Sequence, residues 1–208
     1  MSEPLDRADH AAVLTSTVRF RGGVIDARTD RIRLDDGAVV ERDVVVTRGA
    51  VGVIAMDEDE RVLLVQQYRH PVSARLWEPP AGLLDQPGEP ASTAAARELF
   101  EEAGYRARDW RVLVDAYASP GTSDEAYRVY LARDLTPAAE RHVGTAEEKD
   151  MPQLWVELSD AVDRVLTGRL HNPMAVMGIL ALHVARQRGL DTLRPSDAHW
   201  PARPDHPG

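Results

Sequence analysis

The chain has 208 residues, 43% hydrophobic and 28% charged, with a formal net charge of −9. That length and mix fit one globular domain, or one domain with an appendage, long enough to bury a core. The acidic balance argues against a nucleic-acid polymer as partner, which calls for a basic face, and the absence of cysteine excludes disulfides, thiol catalysis and cysteine-bound zinc.

Residues 1–11 are polar and charged and read as a loose N-terminal tail with no signal-peptide character. No apolar run approaches a membrane span, so a cytoplasmic location is expected. Residues 13–20 are rich in β-branched side chains and roughly alternating, and Gly22-Gly23 follows as a turn. Residues 24–34 alternate through Ile25, Ile32 and Leu34. Asp35-Asp36-Gly37 is a hairpin signal, and residues 38–47 return as a strand. Three antiparallel strands over 12–48 make a thin unit with exposed edges, which a partner subunit could cover.

A more buried pattern begins at Ala50, turns at residues 57–60 and continues through 61–69, the opening of a mixed-sheet core. Trp77-Glu78-Pro79-Pro80-Ala81 is a stiff, extended approach to a glycine-rich loop and a helix ending near Gly104. Strands are expected over 110–118, 126–132 and 152–158. A polar loop spans 133–150. Ser159 is expected to cap a helix stopped by Gly168, and Asn172-Pro173 to start a longer one that runs to Arg188 and stops at Gly189. Met174, Met177, Leu180, Leu182 and Val184 are expected in the core. Residues 193–208, rich in proline and charge, read as a tail or a subunit-facing strap.

The helix before Gly104 carries the chemistry. Glu98, Glu101 and Glu102 stand at i, i+3 and i+4 and share one face, with Ala95, Ala96, Leu99 and Ala103 on a neighbouring face able to pack on a core. Pro90 suits the first turn and Gly104 the position past the end. A solvated acidic helix end is the plain alternative. Yet the acids crowd the last turn, against the helix dipole, where local propensity does not place them. In a cleft three like charges raise one another's pKa unless a cation lies among them. A hard divalent ion with oxygen ligands is the natural solution, and Mg2+ completes its shell with water and substrate phosphates. The seven histidines form no such pair; His70 and His183 read as surface or satisfied core residues.

Glu89, Arg97-Glu98-Leu99, Glu101-Glu102 and Gly104-Tyr105 resemble the Nudix box, with one departure: six residues rather than five separate Gly82 from Glu89. The resemblance implies an α/β fold, an α/β/α sandwich with a mixed sheet over 49–192, joined to the three-stranded antiparallel sheet of 12–48. It implies Glu98 and Glu102 as direct ligands of Mg2+ or Mn2+, the Ala81 carbonyl as a backbone ligand, and Glu101 on a further ion or its water. Gly82, Glu89, Arg97 and Gly104 fall in structural positions of the motif.

Pro120, fifteen residues past the box, resembles the mark of the ADP-ribose pyrophosphatase subgroup. In that subgroup the general base comes from a distant loop, which points to Glu148, with Glu147 and Glu101 next. Gly121 and Ser123 match the substrate loop, and Arg69 and Arg42 match arginines near the nucleotide, Arg42 reaching in from a second subunit. The expected reaction is hydrolysis of ADP-ribose to AMP and ribose 5-phosphate by a homodimer with exchanged N-terminal sheets. Ile25 stands where relatives stack an aromatic on adenine, so another nucleoside diphosphate sugar is the alternative substrate. A non-catalytic sensor on the same scaffold is the alternative class, although such proteins tend to lose box carboxylates and all are present here.

Overall fold

The computed structural model describes residues 4–140 and 151–203, and its contacts divide the chain into two units. The first holds the residues up to Thr47 together with Ser119–Glu125. Strands β1 (Ala12–Arg21), β2 (Asp26–Arg33) and β3 (Val39–Val46) form an antiparallel sheet in that order. Gly37, at φ 84°, allows the tight β2–β3 turn. Strand β1 slips register after Val13 and again after Val18, and every residue in it is exposed, because a single three-stranded layer has no second layer to bury against. Among the described residues of this unit the buried charge is Asp30 of β2, held by Ser16 Oγ at 2.6 Å and Arg28 Nε at 2.9 Å.

Ser119–Glu125 belongs to this unit because it pairs with the end of β3 and the residue just beyond. Val45 N donates to the Thr122 carbonyl (2.8 Å), Asp124 N to the Val45 carbonyl (3.2 Å), and Thr47 N to Asp124 Oδ1 (2.8 Å). A boundary drawn at residue 48 does not foresee that pairing.

The second unit is built around β4 (Ala50–Ala55), buried at every position. It is followed by β5 (Arg61–Arg69), β6 (Ala74–Glu78), β7 (Ala81–Leu83), α1 (Ala91–Ala103), β8 (Tyr105–Arg106), β9 (Asp109–Tyr117) and β10 (Ala126–Arg133). Then come β11 (Thr136–Pro137), β12 (Gln153–Glu157), α2 (Leu158–Leu166), α3 (Pro173–Arg188) and β13 (Arg194–Pro195). The main sheet runs β13-β9-β10-β4-β7, with β10 and β4 parallel and the other pairs antiparallel; a second antiparallel sheet runs β12-β5-β6.

Alternation along β4 creates two cores. Ala50 and Ile54 face Met174, Ile179 and Leu182 of α3 and Ala161 of α2; Val51, Val53 and Ala55 face Ala94, Ala95 and Leu99 of α1. The mixed sheet is thus sandwiched between helices, an α/β/α arrangement. Helix α3 lies close on the sheet: a Cβ on Gly178 would come within 2.6 Å of Ile54 Cγ1, and one on Gly52 within 2.7 Å of Met174 Sδ.

Several local expectations are corrected. Pro90 is the residue before α1, extended at φ −62° and ψ 142°, rather than part of its first turn. Helix α2 begins at Leu158 directly off β12, so Glu157 takes the cap position and Ser159 lies inside. Ala96 and Val184 face solvent, while Ala91 and Ala94 of α1 and Ala175, Gly178 and Ala185 of α3 are buried. Residues 194–203 pack on the second unit instead of trailing from it. Arg194–Pro195 pairs with β9, and the Ala198 and His199 carbonyls accept from the buried Arg128. Trp200 is 8% exposed under the Arg128 guanidinium, 4.8 Å from ring centre to Cζ.

Candidate active site

Strand β7 and helix α1 bring the box residues together. Glu98 and Glu102 are one turn apart on the face of α1 that meets β7. Glu102 Oε2 accepts the Ala81 amide at 2.9 Å. Glu98, 8% exposed, lies over Gly82 so closely that a Cβ there would be 2.1 Å from Glu98 Oε1. Only glycine leaves room for that carboxylate.

Arg97 ties the loop to the helix. Its Nε and Nη2 hold Glu89 at 3.2 and 3.1 Å, and its Nη1 holds Glu98 Oε1 at 2.6 Å and Glu101 Oε2 at 3.2 Å. These carboxylates, the Glu89 hydrogen bond first, keep the guanidinium firmly charged. The extra loop residue is absorbed before the helix, where Glu89 N turns back to the Gln86 carbonyl (3.1 Å) and Gly88 adopts φ 77°. Gly104, at φ 73°, ends α1 by donating to the Phe100 carbonyl at 2.9 Å.

Burial pushes the Glu102 carboxyl up to about 8; the Ala81 hydrogen bond opposes that shift, the charges of Glu98 and Glu78 add to it, and Arg69 draws it down. Among the described residues no three acidic or imidazole groups stand as a ready-made cation cage, and Arg97 engages Glu98 and Glu101. The donor set nevertheless fits a hard divalent ion: the buried Glu98 carboxylate, the partly buried Glu102 carboxylate and a backbone strand converge beside Gly82.

Arg69 ends β5 and reaches the buried Glu78 at the end of β6, Nε to Oε1 at 3.0 Å and Nη2 to Oε2 at 3.1 Å. Glu78 also accepts from the Asn172 amide at the start of α3. Sequence reasoning missed Glu78 and read Asn172 only as a cap. The one available signal was an acid between Trp77 and two prolines, where no exposed turn is expected. Arg42, Gly121 and Ser123 lie in the N-terminal unit. Arg42 Nη1 donates to the Glu41 carbonyl at 2.9 Å, and Ser123 Oγ accepts from Glu125 N at 3.0 Å. Glu147 and Glu148 lie outside the described residues.

The NUDIX domain family matches residues 46–175, the span that holds all of this geometry except Arg42. The chain belongs to the Nudix family. It is 44% identical over 191 residues to an ADP-ribose pyrophosphatase of Mycobacterium tuberculosis (strain ATCC 25618 / H37Rv), covering 92% of this chain and 91% of that protein. It is 33% identical over 165 residues to an ADP-ribose pyrophosphatase of Bacillus subtilis (strain 168), covering 79% of this chain and 88% of the other. A crystal structure of an ADP compounds hydrolase superposes with a TM-score of 0.71 at 20% identity, over 89% of this chain and 99% of that one, and shows the shared Nudix fold.

Proposed function

We propose that this Nudix protein hydrolyses the diphosphate bond of ADP-ribose to AMP and ribose 5-phosphate, with Mg2+ or Mn2+. One observation carries the reading: Glu98 and Glu102 converge on Ala81 and Gly82, and with Arg97 engaging Glu98 but not Glu102, the Glu102 carboxyl is pushed up to about 8 and ionises readily there only beside a further cation. The pyrophosphatase relatives supply the substrate class.

Glu98, Glu102 and the Ala81 carbonyl would hold the ion, with Glu101 available to a second. Bound there, the metal would neutralise diphosphate charge and activate water for attack on phosphorus. The protein's own groups do the rest. Arg97 fixes Glu98 and Glu89 so that loop and helix keep one geometry. Arg69 offers a guanidinium to the diphosphate. Glu148 accepts the proton of the attacking water as general base, with Glu147 and Glu101 as its alternates. Gly121 and Ser123 contact the terminal ribose. The active form is a homodimer that exchanges its N-terminal sheets, bringing Arg42 to the partner's nucleotide, and it works in the cytoplasm.

Ile25, 40% exposed in the turn before β2, is the one feature favouring a different base or sugar, since it offers no ring for adenine to stack on. Turnover of a panel of nucleoside diphosphate sugars separates the two readings. Hydrolysis of ADP-ribose in 18O-labelled water tests the reaction itself. Label in the phosphate of AMP or of ribose 5-phosphate identifies the attacked phosphorus, and label in neither contradicts attack by water on the diphosphate.

A further inference from the structure

Residue 78 is a carboxylate at a buried strand position, where an apolar side chain is the ordinary occupant. Glu78 ends β6 opposite Val65 of β5, on a sheet face shared by Gln67 and Arg69, and it is 1% exposed. An apolar residue there would pack without the desolvation cost of a carboxylate. The carboxylate is instead fully used. Arg69 gives it Nε at 3.0 Å from Oε1 and Nη2 at 3.1 Å from Oε2, running diagonally across the hairpin, and Asn172 gives it an amide hydrogen. Asn172 is itself fixed, because its Oδ1 accepts Ala175 N at 3.0 Å and caps α3.

The arrangement leaves Arg69 held on one edge and open on the other. Its Nη1 takes no part in the Glu78 pair, and its side chain is 42% exposed where that of Glu78 is 2%. Glu78 stands three residues before Ala81, whose amide Glu102 accepts, so the pair is tied to the strand that carries the box. An arginine fixed through its Nε edge presents its remaining N–H groups in a set direction, which is what planar recognition of phosphate oxygens needs. An unheld arginine would lose rotamer freedom each time substrate bound.

We propose that Glu78 is the positioning residue that aims Arg69 at the substrate diphosphate, and that Asn172 secures Glu78 from the start of α3. The chain of contacts runs from the α3 cap through a buried carboxylate to a half-exposed guanidinium. It couples the packing of α3 on the sheet to the anion side of the site. The inference rests on the reading of this protein as a diphosphate hydrolase.

A double-mutant cycle tests it. Wild type, Glu78→Gln, Arg69→Ala and the double variant are compared for ADP-ribose turnover with Mg2+, with thermal melts run in parallel. Glu78→Gln is expected to raise KM about tenfold, the scale of one charge-assisted contact, with kcat within about twofold of wild type. In the Arg69→Ala background the same change is expected to leave KM where Arg69→Ala alone puts it. Equal losses in both backgrounds, or an unchanged KM in Glu78→Gln, overturn the proposal and leave Glu78 a brace of the fold.

Should Glu78→Gln fail to fold, Asn172→Ser decides. Serine retains the helix cap and removes only the amide on Glu78. A KM rise of about threefold that vanishes in the Arg69→Ala background supports the proposal; no rise, or one that persists there, overturns it. A wild-type protein that leaves ADP-ribose intact overturns both the hydrolase reading and this one, whereas an active wild type with an indifferent Glu78 overturns only this one.

Discussion

Glu102 accepts one hydrogen bond, from the Ala81 amide, while burial and the charges of Glu98 and Glu78 push its carboxyl up to about 8. A carboxyl raised above its ordinary value of 4.5 holds its proton in the folded state. Its contribution to stability is therefore complete below pH 4.5 and is lost as pH rises through about 8. Thermal melts of the chelator-treated protein should fall over that window. Mg2+ should raise the melting temperature more at about pH 8.5 than at about pH 6, because the ion competes with the proton. Glu102→Gln should flatten the pH dependence and lower turnover by more than about a hundredfold, since even residues behind a metal ligand cost 10–100-fold. Gly82→Ala tests the same geometry from the strand side. Its Cβ would sit 2.1 Å from Glu98 Oε1, so turnover should collapse while the melting temperature moves little, the displaced atoms being the end of one flexible side chain rather than backbone. The carboxylate triplet was legible because i, i+3, i+4 spacing puts acids on one helical face. Glu78 was not, because burial of a single acid in a proline-flanked stretch leaves no periodic trace.

At the scale of elements, α1 and α3 announced their ends through Gly104 and through Asn172-Pro173 and Gly189, whose backbone preferences are local. The starts of α1 and α2 and the buried face of α3 were less legible for identifiable reasons. Pro90 keeps an extended ψ of 142°, and Leu158 enters α2 straight from β12, both set by the neighbouring strand or loop rather than by the residue. Helix α3 carries apolar residues all round, so no stripe marks its buried side. That side is chosen by small residues, Ala175, Gly178 and Ala185, which let the helix approach the sheet. Val184, large and apolar, is left 46% exposed. Gly178→Ala should therefore destabilise the protein by about 1–3 kcal/mol through overpacking against Ile54 and Val129, although alanine is the better helix former. Denaturant unfolding measures it; a variant at least as stable as wild type would mean that α3 does not lie as close to the sheet as described.

For the molecule as a whole, what the sequence could not reveal is contact between distant segments. Ser119–Glu125 pairs at the end of β3 through Val45 and Thr47, and Trp200 returns to cover Arg128. Neither pairing has a local signature, and the second lies in a stretch whose proline and charge content reads as a tail. The solvent-facing β1 carries Val13, Val18 and Phe20, each more than half exposed. Apolar exposure of that kind on an edge strand marks an association surface. The proposed homodimer should sediment at twice 23.0 kDa, and Val18→Glu with Phe20→Glu should shift it to monomer and reduce turnover. A monomeric, fully active wild type would remove the partner's Arg42 from the mechanism. The central claim, cleavage of ADP-ribose at its diphosphate through Glu98 and Glu102, is tested most directly by 31P NMR of ADP-ribose incubated with the purified protein and Mg2+. The diphosphate resonances should give way to the two monophosphate signals of AMP and ribose 5-phosphate, with no change under chelator or with Glu102→Gln. Intact diphosphate signals in the wild-type sample, or equal conversion by Glu102→Gln, would contradict the account.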